Sequence, residues 1–197
     1  PLGTDVVEIA TDNLESGAIG WTHSGTGDTW ALSTTRNHSP TNSFKGTDSA
    51  AVSDQRLVTP GYTLPTGDTG YSLTYWSFHA FEGSGTSCFD GGLLEASTDG
   101  GANWVQVPSA SLLTDPYDGT VSTQYSNPIG GLSAWCRSQD WTRSVVNLDS
   151  YAGQNVQFRF RLGSDSSVGA EGWYVDDLRV QSCRVASTNL IFRNGFE

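Results

Sequence analysis

The chain has 197 residues and a formal net charge of −11, with 10 Lys and Arg against 21 Asp and Glu, a field that repels phosphate backbones and excludes nucleic acid as a favourable partner. No apolar run reaches the roughly 18 residues of a membrane-spanning helix. The 23 Gly, 7 Trp, 7 Tyr and 8 Phe, with no Met, describe aromatic-anchored strands joined by tight turns in one large all-β domain, and the surplus acid leaves oxygen ligands for a hard cation such as calcium.

In chain order, the opening PLGTD lacks the charged and apolar regions of a signal peptide. Residues 1–11 are therefore set apart as a lead whose first three residues read as a cloning scar, and a signal is expected to have been removed or to lie far upstream. The runs GDTWALSTT, AAVSDQRLVTP, YSLTYWSFHAF, GGLLEASTDGGANWVQVP, WTRSVVNL, NVQFRFRLGSD and GWYVDDLRV alternate apolar and polar residues between Gly, Asp, Asn and Pro breaks. This is the spacing of a two-sheet sandwich, with its clearest hairpin across STDGG. The stretch 109–140 is irregular and polar, the kind of long loop that carries binding function on a rigid scaffold. Residues 182–197 form a tail, in which Leu190, Ile191, Phe192 and Phe196 are expected to add a strand or to lie against the domain.

The run GWYVDDLRV, residues 172–180, poses the sharpest problem. Strict strand alternation places Trp173, Val175, Asp177 and Arg179 on one side and Tyr174, Asp176, Leu178 and Val180 on the other. One aspartate then points where apolar side chains point, and a buried unpaired carboxylate needs a proton, a cation or a metal.

Other chemistry-bearing groups are sparse. Glu82, Asp90 and Glu95 form an acidic cluster around Gly turns; they are read as a glycosidase pair, as a second cation site or, preferentially, as ordinary turn and strand carboxylates. His23, His38 and His79 fit no metal-ligand spacing, and no nucleophile elbow or phosphate-binding loop is present, so the chain is expected not to be an enzyme. Most tryptophans read as core. Trp135 and Trp141, with Tyr117 and Tyr125 upstream, lie in the irregular stretch and are the candidate ligand-binding aromatics. Three cysteines leave one thiol over: Cys88–Cys136 is the preferred disulfide, because it tethers that stretch to the sandwich, and Cys183 is the alternative partner.

The ordered series LESGAIGW, DTWALS, RLVTP, SLTYWSFHAFE, FDGGLLEASTDGGANW, YAGQNVQFRFRLGSD and GWYVDDLRV resembles the MAM-like jelly-roll domains that accompany secreted bacterial metallopeptidases of the immune inhibitor A and fungalysin types. The resemblance covers residues 12–181. It implies an all-β, two-sheet antiparallel jelly-roll sandwich holding a structural calcium, with Glu15 and Asp176 as ligands and Asp12 and Asp177 as second choices. The competing reading leaves Glu15 solvated, with one aspartate capping a turn or paired with Arg159 or Arg161. The expected function is that of a noncatalytic, calcium-stabilised accessory module, extracellular, binding a protein or polysaccharide surface beside an upstream catalytic domain. A stand-alone carbohydrate-binding module is the alternative.

Overall fold

The computed structural model describes residues 4–185, built from strands β1 (Thr4–Asp12), β2 (Thr22–Thr26), β3 (Ala31–Ser33), β4 (Ser43–Gly46), β5 (Ser53–Val58), β6 (Tyr62–Thr63), β7 (Thr69–Ala80), β8 (Gly83–Ser84), β9 (Ser87–Cys88), β10 (Gly91–Ser97), β11 (Val105–Gln106), β12 (Gly119–Thr120), β13 (Ser133–Ala134), β14 (Ser138–Asn147), β15 (Asn155–Ser164) and β16 (Gly172–Val185). One antiparallel sheet runs β14-β7-β16-β4-β3, with β1 also pairing β16; the other runs β11-β10-β15-β5-β2, with β6 pairing β15. The two make the expected jelly-roll sandwich. Residues 4–11, set apart above as a lead, pair with β16 as far as Val185, so the sandwich extends past 12–181 at both ends. The expectation for residues 190–196 lies outside the described residues.

Alternation explains the layers. In β15, Val156, Phe158, Phe160 and Leu162 are fully buried, while Gln157, Arg159 and Arg161 between them face outward. Trp173 sits at the centre of the core: its ring lies 5.5 Å from Phe160, 5.7 Å from Trp135 and 5.9 Å from Trp30. Its indole N–H, which burial would otherwise orphan, donates to Ser77 Oγ at 2.8 Å. Gly92 is required opposite it, since a Cβ there would stand 2.6 Å from the ring.

The expected alternation of β16 fails at the aspartate pair. Asp176 faces Trp76 on β7, but the next paired residue, Arg179, faces Thr74: three steps on one strand match two on the other. This is a β-bulge, and Asp177 adopts a left-handed φ of 49° within it. Trp173, Val175, Leu178 and Val180 consequently all join the core, while Asp176 and Arg179 share the outer face with Trp76 and Thr74. Neither aspartate enters the hydrophobic interior.

The irregular stretch carries a small core of its own, with Cys88, Leu93, Val121, Ile129, Ala134 and Cys136 buried together. Cys88 and Cys136 form a disulfide with Cα atoms 5.5 Å apart, and Cys183 is free.

Candidate functional site

The outer face of the first sheet is crossed by residues 34–42, the connection between β3 and β4, which forms a strap. Arg36 makes a bidentate pair with Glu171 at 2.7 and 3.0 Å and lies 4.1 Å over the Phe78 ring. His38 stacks on Trp76 at 3.8 Å, and its Nδ1 pairs with Asp177. Trp141, partly buried on β14, meets His38 edge-on at 6.0 Å.

The four predicted calcium ligands hold this strap and the turn beside it. Asp176 Oδ2 accepts the backbone N–H groups of His38 at 2.8 Å and Ser39 at 3.0 Å. Glu15 Oε1 accepts Asn42 N–H at 2.7 Å, and Oε2 accepts the Thr41 hydroxyl at 2.8 Å. Asp12 accepts Leu14 N–H and the Trp21 indole N–H, both at 2.8 Å. The Asn42 N–H holds Glu15 below its ordinary pKa, whereas burial pushes Asp176 up to about 6 despite the N–H groups of the strap. No three of these carboxylates bring oxygens together, among the described residues, as another acidic trio does. Their arrangement clamps the backbone of the strap and of the turn beside it. Asp176 takes its hydrogen bonds from backbone N–H groups, while Arg159 and Arg161 pair with Glu95 on the other sheet.

Beside the strap opens a groove of about 880 Å³ bounded by the 13–19 turn and the outward residues of β7, β14 and β16; Trp76, Arg143, Arg179, Asp12, Asp177 and exposed Ile19 line it. Its lining combines one indole with charged donors and acceptors, the composition of a site for a polar ligand with flat faces. Sequence reading missed Trp76, Arg143 and Arg179, because only strand pairing shows that they share a face.

The candidate aromatics separate. Trp135 is 2% exposed; its backbone exchanges hydrogen bonds with Gly92 at 2.8 and 3.0 Å, and its indole donates to Asp115 O at 3.0 Å. That pairing draws it into the core and away from any ligand. Tyr117 packs against Trp135 at 4.7 Å; its hydroxyl accepts Leu94 N–H at 3.2 Å and has Val107 O at 3.1 Å and Leu94 O at 3.2 Å as alternative acceptors for its one proton. Tyr125 is 52% exposed and lies edge-on to Phe89, outside the groove.

The second acidic group is divided by the fold. Glu95 faces Arg159 across the β10–β15 ladder and pairs with Arg159 and Arg161 on the outer face of the second sheet. Glu82 and Asp90 instead approach Asp165, each contributing a carboxylate oxygen within 4.8 Å of the others, in a group able to hold a metal ion. Burial, reinforced by the charge of Asp48, pushes Asp90 up to about 9. The histidines are absorbed locally: His23 pairs with Asp28, and His79 contacts Cys136 O at 3.2 Å.

No family model matches the chain. It is 29% identical over 175 residues to Bacillopeptidase F of Bacillus subtilis strain 168, a match that takes in 84% of the chain but only 10% of the length of that protein. Among solved structures it resembles the K3 cleaved adhesin domain of Lys-gingipain from Porphyromonas gingivalis W83, with TM-score 0.55, 18% identity and coverage of 90% of this chain and 99% of that one. It also resembles TmCBM61 in complex with β-1,4-galactotriose, with TM-score 0.50, 12% identity and coverage of 85% and 92%. Such low identities establish the sandwich fold alone.

Proposed function

We propose that the chain is a noncatalytic β-sandwich accessory module of a secreted peptidase and that it engages a polysaccharide surface through the groove beside Trp76. The observation that carries this is the groove itself, which Trp76 lines together with Arg143, Arg179, Asp12 and Asp177; sugar rings present both an apolar face and hydroxyls to such a surface. The relationship to one segment of Bacillopeptidase F supports a module set within a longer peptidase, and the MAM-like pattern and the disulfide agree with an extracellular setting. The galactotriose-bound neighbour supports a glycan as the ligand class, while the gingipain adhesin domain supports surface attachment. A stand-alone carbohydrate-binding module would use the same groove without a catalytic partner.

Isothermal titration of the 197-residue chain against a panel of soluble polysaccharides tests the reading. At least one should bind, and Trp76→Ala or Arg179→Ala should weaken it about tenfold, the loss expected for one aromatic or charged contact. Binding that survives both substitutions unchanged would move the ligand elsewhere, and a panel without binding would overturn the polysaccharide reading.

A further inference from the structure

Four carboxylates gather at the end of the sandwich where the two sheets exchange strands. Asp48 follows β4, Glu82 and Asp90 flank the β8–β9 hairpin, and Asp165 follows β15. Asp48, Asp90 and Asp165 are at most 2% exposed. Glu82, Asp90 and Asp165 each place a carboxylate oxygen within 4.8 Å of the others, and Asp48 joins them through its hydrogen bond from Glu82 N–H. No Lys, Arg or His forms an ion pair with any of the four among the described residues.

The hydrogen bonds show which oxygens are committed. Asp48 Oδ1 accepts the Ser164 hydroxyl at 2.9 Å and Oδ2 accepts Glu82 N–H at 3.0 Å. Asp90 Oδ1 accepts Asp165 N–H at 2.6 Å and Asn127 Nδ2 at 3.1 Å, and Asp165 Oδ1 accepts Ser167 N–H at 2.8 Å. Two buried oxygens are left over: Asp90 Oδ2, on a residue with no exposure at all, and Glu82 Oε2 have no hydrogen-bond partner. A native fold seldom leaves a buried carboxylate oxygen bare, and here two stand within a cluster of like charge. The one-sided orientation of Asp90, with Oδ1 doubly bonded to protein and Oδ2 bare, is that of a ligand held by its other oxygen.

We propose that Glu82, Asp90 and Asp165, braced by Asp48, form a calcium site that ties together the 47–52 loop, the β8–β9 hairpin and the 165–171 loop. An all-oxygen, carboxylate-rich donor set suits a hard divalent cation, and calcium accepts the irregular geometry that three separate loops impose. The site is distinct from the Glu15 and Asp176 clamp and independent of the groove, so its failure would leave the polysaccharide reading untouched.

The test is calcium titration of the chelated 197-residue chain, followed by calorimetry and thermal melting, for wild type, Asp90→Asn and Glu82→Gln. Wild type should bind calcium and melt about 5–10 °C higher at a hundredfold excess over its Kd. Each folded variant should bind at least about tenfold more weakly. Metal-free Asp90→Asn should melt no lower than metal-free wild type, because the amide relieves repulsion while its oxygen keeps the bonds to Asp165 and Asn127. Glu82 is partly exposed, so Glu82→Gln decides the matter if Asp90→Asn does not fold. A chelated wild type that takes up no calcium at about 1 mM overturns the proposal. So do folded variants that keep wild-type affinity and merely melt lower with and without calcium.

Discussion

The imidazole of His38 lies flat against the indole of Trp76, with 3.8 Å between ring centroids and 12° between planes. The strap thereby covers one face of the Trp76 indole, which also lines the groove. His38→Ala should uncover the indole, at a cost of about 1 kcal/mol. Increased acrylamide quenching of tryptophan fluorescence checks it; unchanged quenching would show that the strap stays closed without the stack.

Asp176 holds the strap more firmly, because its carboxylate takes the N–H groups of His38 and Ser39. Asp176→Ala leaves those donors unpaired and should cost about 2–4 kcal/mol, with protease cleavage within residues 34–42 appearing well below the melting temperature. Urea denaturation and timed trypsin digestion measure the two effects.

Glu95 should behave as a structural partner of arginines. Its side chain is 7% exposed and pairs with Arg159 and Arg161. Glu95→Ala should destabilise by about 3 kcal/mol, and polysaccharide binding should not change, since Glu95 is remote from the groove. An altered affinity would contradict that separation.

The disulfide closes a loop with a sequence separation of 48. Replacing both Cys88 and Cys136 by Ser should cost about 4 kcal/mol in the chain-entropy model. Hydrogen exchange should locate the loosening in residues 117–137, over the small core that the bridge anchors. Uniform protection loss across the chain would show instead that the bridge supports the whole sandwich.

Asp99 gives a pH signature. The Asn103 N–H, the Asn103 side chain and the Ser97 hydroxyl stabilise its carboxylate and lower its pKa to about 2. A folded pKa below the unfolded value means that the contribution is present above pH ~4 and disappears as pH falls from there toward 2. The melting temperature of Asp99→Asn should therefore lie below that of wild type at neutral pH, with the gap narrowing below about pH 4. A constant gap would rule out this turn as the source.

Period-two alternation and turn residues were enough to read the sandwich from the chain. Strand periodicity and the STDGG hairpin are local properties, and the observed Glu95–Gln106 and Ala96–Val105 pairs follow from them. Acidity and aromatic content were equally plain, whereas the cysteine pairing, open to Cys183 in the sequence, was decided by the fold that brings Cys88 and Cys136 together. What alternation hid was the bulge at Asp177: a single extra residue reverses every later facing, so Leu178 joins Trp173 in the core and Arg179 joins Trp76 at the groove. Nor did spacing distinguish Trp135, drawn inward by Gly92, from Trp76, turned outward on β7. Asp48, Glu82, Asp90 and Asp165 are scattered over more than a hundred positions and meet only because the strand crossovers bring their loops to one end. Composition determined the class of the molecule, since burial and turn preferences act between near neighbours; the sites were decided by long-range pairing, which sets which side chains share a surface.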